Sequence, residues 1–445
     1  MIKEHQEYDE SSKIPFIPSV VIGIGSIGVI EEVKGQDDTF RGQTYARKTM
    51  ILLNNLEDRK KELETMAEEV KIMKSLCHKH VVRLVMSYTW QNNFCIVIDP
   101  RAESSLEEYL VNQTKPRNHI AGWFRCLISG ISYVHERGLR HRDIKPHNLL
   151  LKGSKLLLTD FGISMMGLGK TVPTTVKGAP RSRTLEYCSP EVHDGSTRGR
   201  SADMFSIGAV FLEMAIASIS SDELQTFRDA LKVGDRYSYA LNVTTAQNKI
   251  GSLGSSEGHD PWLNSILFLC GKMIQANRYL RPKAGDVSAW WSWNRVSTTM
   301  SPDDCSCDLS SSTALPYHEE GLNENLRRAY ANGHTLMVDL FKERGAELSK
   351  DATLIAAAEG GLSDIVRCVI AENADARTKA VSKVSFEVAL RRAASAGFAE
   401  TVEVLLDRVA DIESASDDGT TALAAASNQG HKDVVRLLLD KGARH

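Results

Sequence analysis

The stretch HRDIKPHNLLLKGSKLLLTDFG, which runs from His141 to Gly162, decides the fold of this 445-residue chain. Asp143, Asn148 and Asp160 are spaced in it along a loop, a predicted pair of strands and a second turn, so they can converge. Transfer of a phosphoryl group needs an oxygen base beside the acceptor hydroxyl and hard oxygen ligands for Mg²⁺. Asp143 can supply the base, and Asn148 with Asp160 can hold the metal. A chance loop of soluble charges explains the motif far less well.

Three glycines near the N-terminus follow the spacing G-x-G-x-x-G in the stretch VIGIGSIGVIEEV: Gly23, Gly25 and Gly28. The motif by itself fits a dinucleotide-binding Rossmann turn, a flap that folds over nucleotide phosphates, or a chance cluster in a turn. A Rossmann unit starts a long helix at the third glycine. Here only five residues separate Gly28 from the turn-forming residues KGQDD. The sequence therefore predicts a hairpin followed by a third strand, QTYARKTMILL.

The segment from Glu57 to Cys77 has the pattern of an amphipathic helix. Its apolar residues recur at intervals of three and four: Leu63, Met66, Val70, Met73 and Leu76. Glu69 borders this stripe, whereas Glu68 points to the opposite face. A carboxylate at the inner edge of a helix needs a cation, and Lys48 on the third strand is the candidate. The alternative is a solvated glutamate and an unrelated lysine at a strand end.

With these motifs the sequence resembles the eukaryotic protein kinases over about residues 16–295. Three further motifs follow in the family's order: SPE (189–191), DMFSIG (203–208) and RP (281–282). The resemblance implies an α+β two-lobed protein kinase fold, with a β-rich N-lobe over about 16–98 and an α-rich C-lobe over about 101–295. The apolar run IGAVFLEMAIA (207–217) would be the buried helix at the centre of the larger lobe, since it is too short to cross a bilayer.

The resemblance also implies a role for each matching residue. Lys48 would hold the α- and β-phosphates of ATP and pair with Glu69, and Lys145 would contact the transferred phosphate. Asp143 would be the base, with Asn148 and Asp160 on Mg²⁺. The other nucleotide-binding positions would be Gly23, Gly25, Ser26, Gly28, Ile30, Ala46, Asp99, Arg101 and Leu150. Among these, Ile30, Ala46 and Leu150 would sandwich the adenine, and residues 99–101 would form the hinge. Glu191, Asp203 and Arg281 would be structural.

The residues of this loop indicate which type of hydroxyl group accepts the phosphate. Lys145, two residues after the base, is typical of serine/threonine kinases, and Thr184 matches the family threonine that supports the base and the substrate hydroxyl. Four positions depart from the family pattern, and they bear on rate and substrate preference because none removes a catalytic group. They are Ile27, Arg183, Ser189 and Phe205.

The segment between Gly162 and Glu191 is basic and rich in hydroxyl groups. Arg142 precedes the base, and in kinases with this arrangement a phosphorylated segment often pairs with that charge. A phosphate adds about −1.5 to −2 charge. Thr175 and Ser182 are the predicted phosphorylation sites, whereas Thr184 belongs to the substrate platform. The alternative is that these are ordinary solvent-facing hydroxyls.

Residues 296–320 are rich in Ser, Thr and Asp and predict a flexible linker. Beyond it the chain repeats. Four glycines serve as anchors at spacings of 28, 36 and 33 residues: Gly333, Gly361, Gly397 and Gly430. Leucine stands seven residues before each anchor and alanine four before. This pattern resembles about four ankyrin repeats over 321–445, an all-α solenoid that would bind a protein partner. The alternative is an ordinary helical bundle.

Composition limits the remaining possibilities. The formal net charge of −3 gives no basic field for nucleic acid or an anionic membrane, and no apolar leader begins the sequence. Scattered cysteines favour a cytoplasmic or nuclear location, and the isolated pair Cys305 and Cys307 is a poor zinc site.

The sequence as a whole leaves two hypotheses for the function of this protein. One is an active serine/threonine kinase using ATP and Mg²⁺, with protein substrates and a protein partner on the repeats. The alternative is a pseudokinase–ankyrin scaffold; the presence of Lys48, Asp143 and Asp160 favours the enzyme.

Overall fold

The structure is a computed structural model that describes residues 5–25, 28–52, 55–112, 119–160, 185–195, 199–255, 260–294, 317, 321–373, 381–407 and 411–444. Contacts divide these residues into two compact units. The first extends to Ala284, and the second begins at Gly285.

A six-stranded sheet and one helix open the first unit. The strands are β1 (Gln6–Tyr8), β2 (Phe16–Gly25), β3 (Gly28–Gly35), β4 (Thr44–Ile51), β5 (Arg83–Trp90) and β6 (Asn93–Asp99), and helix α1 (Leu56–Ser75) follows β4. Their spatial order is β1-β5-β6-β4-β3-β2. Strands β2 and β3 pair antiparallel up to Gly25 and Gly28, and β3 pairs antiparallel with β4. The predicted glycine hairpin and its third strand are therefore confirmed, and the Rossmann alternative is excluded.

The two faces of this sheet carry different sets of side chains. In the β3–β4 register Ile30 lies opposite Lys48, and Glu32 lies opposite Ala46. Because side chains alternate along a strand, these four residues share one face. The opposite face carries a buried cluster: Ile14, Phe16, Val33, Phe40, Tyr45, Val85, Met86, Tyr88, Cys95 and Val97. The polar functional residues of β3 and β4 are thus presented on the face away from this cluster.

Helix α1 has the predicted amphipathic form. Its N-cap is Asn55, whose side chain accepts hydrogen bonds from the backbone N–H groups of Glu57 and Asp58 at 3.0 and 3.4 Å. The predicted stripe is buried at Met66, Val70, Met73 and Leu76, with Leu63 half-buried. Glu68 lies on the exposed face, as expected.

The rest of the first unit is mainly helical. Its helices are α2 (Leu106–Val111), α3 (Ile120–Glu136), α4 (Pro190–His193), α5 (Arg200–Ile219), α6 (Ser221–Ala230), α7 (Val243–Gly254) and α8 (Pro261–Met273). Short strands accompany them: β7 (Ser104–Ser105), β8 (Leu149–Lys152), β9 (Lys155–Leu158), β10 (Lys232–Val233) and β11 (Arg236–Tyr237). Helix α5 is long and apolar enough to cross a membrane, but most of it is buried inside this unit. It is the central helix that the sequence predicted.

The second unit begins with α9 (Ala284–Trp293), of which all residues except Ala284 belong to it. Among the described residues, four helix pairs follow. These are α10 (Leu322–Asn332) with α11 (Thr335–Glu343), α12 (Lys350–Glu359) with α13 (Ser363–Asn373), α14 (Lys383–Ala396) with α15 (Ala399–Leu406), and α16 (Ala422–Asn428) with α17 (Lys432–Asp440). The first helix of each pair packs on the first helix of the next. This is the stacking expected of a solenoid.

The anchor glycines occupy the turns between paired helices. All four have positive φ, from 67° at Gly333 to 81° at Gly397, a conformation that costs glycine little. The leucines and alanines at fixed offsets before them are buried: Leu326, Ala329, Leu354, Ala357, Leu390, Ala393, Leu423 and Ala426. The repeat pattern is therefore confirmed.

Helix α9 packs on the first helix pair of the second unit. Asp286 is fully buried, and its Oδ2 accepts hydrogen bonds from Thr335 Oγ1 at 3.2 Å and from the Leu336 backbone N–H at 3.0 Å. These donors belong to the first turn of α11, so Asp286 satisfies a helix N-terminus from another helix. The ring of Trp293 meets that of Phe341 edge-on, with centroids 5.3 Å apart.

Tyr317, inside the predicted linker, is also buried against this first pair. Its hydroxyl hydrogen-bonds to His334 Nδ1 at 2.7 Å, and its ring contacts Trp293 and Phe341. The side chain at this position is therefore part of the packed unit, which its Ser/Thr-rich surroundings did not indicate.

We expect Asp286→Ala to destabilise the second unit by about 1–2 kcal/mol, because the first turn of α11 loses its capping carboxylate. Hydrogen exchange of the α11 amides, which reports local opening, would measure the loss. Glu403→Ala, at an exposed position of α15, is the matched control. Unchanged protection of α11 would show that Asp286 does not stabilise this helix.

Candidate active site

The loop formed by residues 141–148 brings three of the predicted residues together. The Asn148 Nδ2 group donates to the backbone oxygen of Asp143 at 2.8 Å and to Asp143 Oδ2 at 2.9 Å. Lys145 Nζ lies 2.9 Å from the same Oδ2. Strands β8 and β9 form a hairpin after the loop, and the Thr159 N–H donates to the Asn148 backbone oxygen at 3.1 Å. This bond brings Asp160 next to the loop.

Asp203 on α5 holds the loop from beneath. Its carboxylate accepts hydrogen bonds from the backbone N–H groups of His141 and Arg142, each at 2.9 Å, and lies 2.9 Å from His135 Nε2. Burial by itself raises the pKa of Asp203, but the interactions with His135, His141 and the Arg142 backbone together outweigh burial, and the net pKa is lowered. Arg142 takes a φ of 73°, which is uncommon outside glycine. The ionised carboxylate stabilises this backbone conformation one residue before Asp143.

His141 ties the loop to the end of β9. It is fully buried, and its Nε2–H donates to the Thr159 backbone oxygen at 2.8 Å. Burial lowers the pKa of His141 despite the nearby carboxylates, so the ring is neutral at pH 7. Its role is to position the two ends of the motif.

Lys48 and Asp160 form an ion pair between the sheet and this motif. Lys48 Nζ lies 2.6 Å from Asp160 Oδ1. Asp160 has a φ of 60°, a conformation that aspartate tolerates better than most residues. Two residues that are 112 positions apart in the sequence therefore meet in one site.

The predicted pair between Lys48 and Glu69 is not formed. Both residues are described, and no carboxylate oxygen of Glu69 lies within 4.0 Å of Lys48 Nζ. Asp160 is the carboxylate that contacts the Lys48 ammonium group. Burial raises the pKa of Glu69, and the charge of Lys48 offsets only part of this effect. Glu69 thus contributes to the electrostatics of Lys48 without contacting it.

Three carboxylates act on Lys48 together. Burial by itself lowers the pKa of its ammonium group, but Asp160, Glu69 and Asp143 outweigh burial and raise it. Lys48 is consequently a fixed positive charge in a partly enclosed site. A cation of this kind suits the binding of phosphate oxygens.

The predicted nucleotide positions within the described residues lie on the six-stranded sheet, on the segment after β6 and on β8. Ile30, Ala46 and Lys48 share a face, as described above, and Leu150 lies on β8. Gly23 has open space where a side chain would be, whereas a Cβ on Gly28 would lie 2.0 Å from the Thr49 backbone oxygen. Glycine at position 28 is therefore required by strand packing. Ser26 lies outside the described residues.

Both charged hinge residues are engaged in ion pairs. Asp99 Oδ2 lies 2.9 Å from Arg83 Nη2, and Arg101 Nε lies 2.9 Å from Glu32 Oε2. Glu32 belongs to β3, so the second pair connects the glycine hairpin to the hinge. The sequence analysis missed Glu32, because no local pattern marks a partner 69 residues from Arg101.

Glu191 and Arg281 form a bidentate pair, with Nη1–Oε1 and Nη2–Oε2 distances of 2.7 and 2.9 Å. The Arg281 guanidinium also lies over the ring of Phe205, 4.9 Å from its centroid.

Thr175, Ser182 and Thr184 lie outside the described residues, as do Ile27 and Arg183. Cys305 and Cys307 do too, and the described residues hold no group of three or more His, Cys, Asp and Glu side chains suited to a metal.

We expect Glu191→Gln to lower the free energy of unfolding by about 1.5–3 kcal/mol at pH 7, since charged hydrogen bonds are lost. Burial by itself raises the pKa of Glu191, but the hydrogen bond and charge of Arg281, together with the other hydrogen bonds to the carboxylate, outweigh burial, so the pKa is lowered on folding. The wild-type advantage is therefore present above the unfolded pKa near 4.5 and is lost as pH falls through the folded pKa. Denaturant titrations at several pH values, with Glu223→Gln as control, would measure it. A constant difference down to pH 2 would contradict this assignment.

The sequence profile described as "Protein kinase domain" matches residues 16–288, which is more than half of the chain. The chain therefore belongs to the protein kinase family. A second profile, "Ankyrin repeats (3 copies)", matches residues 354–445. The structure adds one helix pair, α10 with α11, before that match.

Among curated proteins the chain is similar to the mouse "Serine/threonine-protein kinase 36", with 32% identity over 44% of this chain and 14% of the relative. It is 34% identical to "Cell division control protein 2 homolog 1" of Trypanosoma brucei brucei, over 44% of this chain and 63% of the relative. It is 32% identical to the human "Serine/threonine-protein kinase Nek11", over 33% of this chain and 23% of the relative. The chain thus spans less than two thirds of the length of each of these relatives.

Proposed function

We propose that this protein is a serine/threonine kinase that transfers the γ-phosphate of Mg·ATP to hydroxyl groups of protein substrates. The observation that carries the proposal is the meeting of two ion pairs from distant parts of the chain. Lys48 with Asp160 supplies a cation and a carboxylate, and Asp143 with Lys145 supplies a base beside a second cation. The names of the relatives support the serine/threonine class.

The residues present fit Mg²⁺ and a nucleotide. Hard cations prefer carboxylate and amide oxygens. The amide nitrogen of Asn148 is turned toward Asp143, and its Oδ1 accepts no hydrogen bond from the described residues, so this oxygen is available for a cation. Asn148 and Asp160 would hold the metal, and Lys48 would hold phosphate oxygens. When bound, the metal would neutralise charge on the phosphates.

The chain's own residues would then orient the acceptor. Asp143 would accept the proton of the serine or threonine hydroxyl, with its carboxylate oriented by the contacts of Asn148 and Lys145 to Oδ2. Asp203 and His141 keep the loop geometry fixed, so no reorganisation is needed during transfer. The cation of Lys145 beside the base suits the charge on the transferred group.

We also propose that the repeats recruit a substrate or a regulator. Solenoids of stacked helix pairs offer extended surfaces for binding. Nothing in the catalytic chemistry uses the second unit, because Lys48, Asp143 and Asp160 all lie before Gly285. Recruitment is therefore a task separate from transfer.

A transfer assay with the full purified chain tests the proposed activity. Radiolabelled ATP, Mg²⁺ and myelin basic protein would be combined, and the phosphorylated residues identified by acid hydrolysis. Label on serine or threonine supports the proposal. Folded protein that binds ATP without transferring it would favour the scaffold alternative instead.

A further inference from the structure

The chain at the end of β6 carries charged side chains at three alternate positions: Asp99, Arg101 and Glu103. Each of them forms an ion pair with a different strand. The nitrogen–oxygen distances are 2.9 Å to Arg83 of β5, 2.9 Å to Glu32 of β3 and 3.5 Å to Lys152 of β8. Side chains therefore join this segment both to the six-stranded sheet and to the β8–β9 hairpin.

The Arg101–Glu32 pair is the most enclosed of the three. The Glu32 and Arg101 side chains are 19% and 33% exposed, whereas every side chain of the other two pairs is at least 35% exposed. An exposed ion pair contributes little, because water and salt screen its charges. Of the three pairs, Arg101–Glu32 is thus the one that solvent weakens least.

This pair starts from the face of the sheet that carries the predicted adenine contacts. In the β3–β4 register Glu32 lies opposite Ala46, and Ile30 lies opposite Lys48. The two rows are neighbours on one face, about 7 Å apart along the strands. Lys48 in one row pairs with Asp160, and Glu32 in the other pairs with the segment after β6. Two ion pairs that lead out of the sheet thus flank the predicted adenine contacts.

Both members of the pair belong to backbone that is held in place. Glu32 is paired on one side with β2 and on the other with β4. Two residues after Arg101, the Glu103 N–H donates to the Leu151 backbone oxygen of β8 at 2.8 Å. Leu151 follows Leu150, the predicted contact on the other side of the adenine. The pair consequently fixes the separation between the two predicted faces of the adenine site.

The separation of these two faces determines how well a flat base is bound. Apolar side chains attract a base by dispersion, and a gap of about 0.5–1 Å already loses a quarter to a half of that attraction. A site that is fixed in advance also needs less ordering on binding. An ion pair with a nitrogen–oxygen distance of 2.9 Å restricts the separation to a narrow range.

We propose that Arg101 and Glu32 are positioning residues for the base of ATP. Their ion pair sets the separation between β3 and the segment that leads to β8, and it thereby sets the affinity for the nucleotide. The transfer step depends little on this pair, because the proposed catalytic groups lie elsewhere. The inference rests on the proposed kinase function, since it requires ATP at this site.

The variants Arg101→Gln and Glu32→Gln, made in the full chain, test the proposal by their affinity for adenosine. Adenosine has no phosphate, so a removed protein charge cannot act on it through phosphate oxygens. We expect both variants to bind adenosine roughly 3- to 10-fold more weakly, the effect of one partly enclosed ion pair. The double variant should bind no more weakly than either single variant, because the two residues act through one contact. Isothermal titration calorimetry measures the affinity and the fraction of protein able to bind.

ATP gives a second readout. A direct effect of charge on the phosphates would shift the ATP affinity of the two variants in opposite directions, since one variant loses a positive charge and the other a negative charge. The ion pair predicts weaker ATP binding in both. The KM for ATP should rise by the same factor as the loss of adenosine affinity, while kcat at saturating ATP stays the same. Lys249→Gln/Glu223→Gln is the matched control, because these paired side chains are 22% and 33% exposed, and it should change neither.

The outcomes separate this inference from the proposed function. Folded wild-type protein that binds neither adenosine nor ATP refutes the proposed function, and the role of the pair with it. Wild-type protein that binds both, with unchanged adenosine affinity in the folded single variants, overturns the role of the pair alone. Losses that multiply in the double variant also overturn it, because the two residues would then act independently. If Glu32→Gln does not fold, Arg101→Gln decides, since Arg101 lies outside the strands.

Discussion

Asp143→Asn is expected to lower phosphoryl transfer by about 10²–10⁴-fold, the usual contribution of a positioned base. The amide has nearly the shape of the carboxylate but cannot accept the proton of the acceptor hydroxyl. It also removes the charge that pairs with Lys145 at 2.9 Å. Fold and nucleotide affinity should be retained, because Asp203 and His141 hold the loop through other bonds.

Single-turnover transfer, together with binding of a fluorescent ATP analogue, would measure this effect. Asp194→Asn is the matched control, since the Asp194 side chain is 75% exposed. Near-normal turnover of the folded Asp143→Asn protein would show that Asp143 is not the base. The proposed site would then need another oxygen acceptor.

Asp160→Ala is expected to cost several kcal/mol of transition-state stabilisation, or roughly 10²-fold or more in rate. Two contributions are lost together. One is a proposed oxygen ligand to Mg²⁺, and the other is the ion partner of Lys48, 2.6 Å away. Added magnesium should recover little of the rate, because the coordination geometry has changed.

Binding of the ATP analogue at increasing Mg²⁺ gives a readout that does not depend on turnover. The wild type should bind more tightly as Mg²⁺ rises, and Asp160→Ala should lose most of this dependence. Asp38→Ala, whose side chain is 94% exposed, is the control. An unchanged Mg²⁺ dependence in Asp160→Ala would place the metal elsewhere.

Local patterns predicted the elements of this protein well. Turn residues that begin six positions after Gly28 identified a hairpin instead of a Rossmann turn, because a helix has no room there. The fixed offsets before Gly333, Gly361, Gly397 and Gly430 identified helix pairs, since a stacked helix buries the same positions in each repeat. Such patterns repeat the geometry of one element and therefore appear in sequence.

The partners of individual charges were harder to predict. Glu69 has the right place on its helix for Lys48, yet Asp160 is the residue in contact. The Arg228–Glu107 pair joins residues 121 positions apart, and neither has a neighbour that signals the other. At such separations many arrangements satisfy the same local pattern.

The sequence by itself determined the family, the order of the catalytic residues and the helix pairs of the repeats, because these depend on spacing along the chain. Only the tertiary structure decided which carboxylate binds Lys48, which glutamate pairs with Arg101, and that α9 packs with the first repeat pair. Ion pairs and hydrogen bonds act over a few ångströms in space. Their partners are fixed when distant segments pack together.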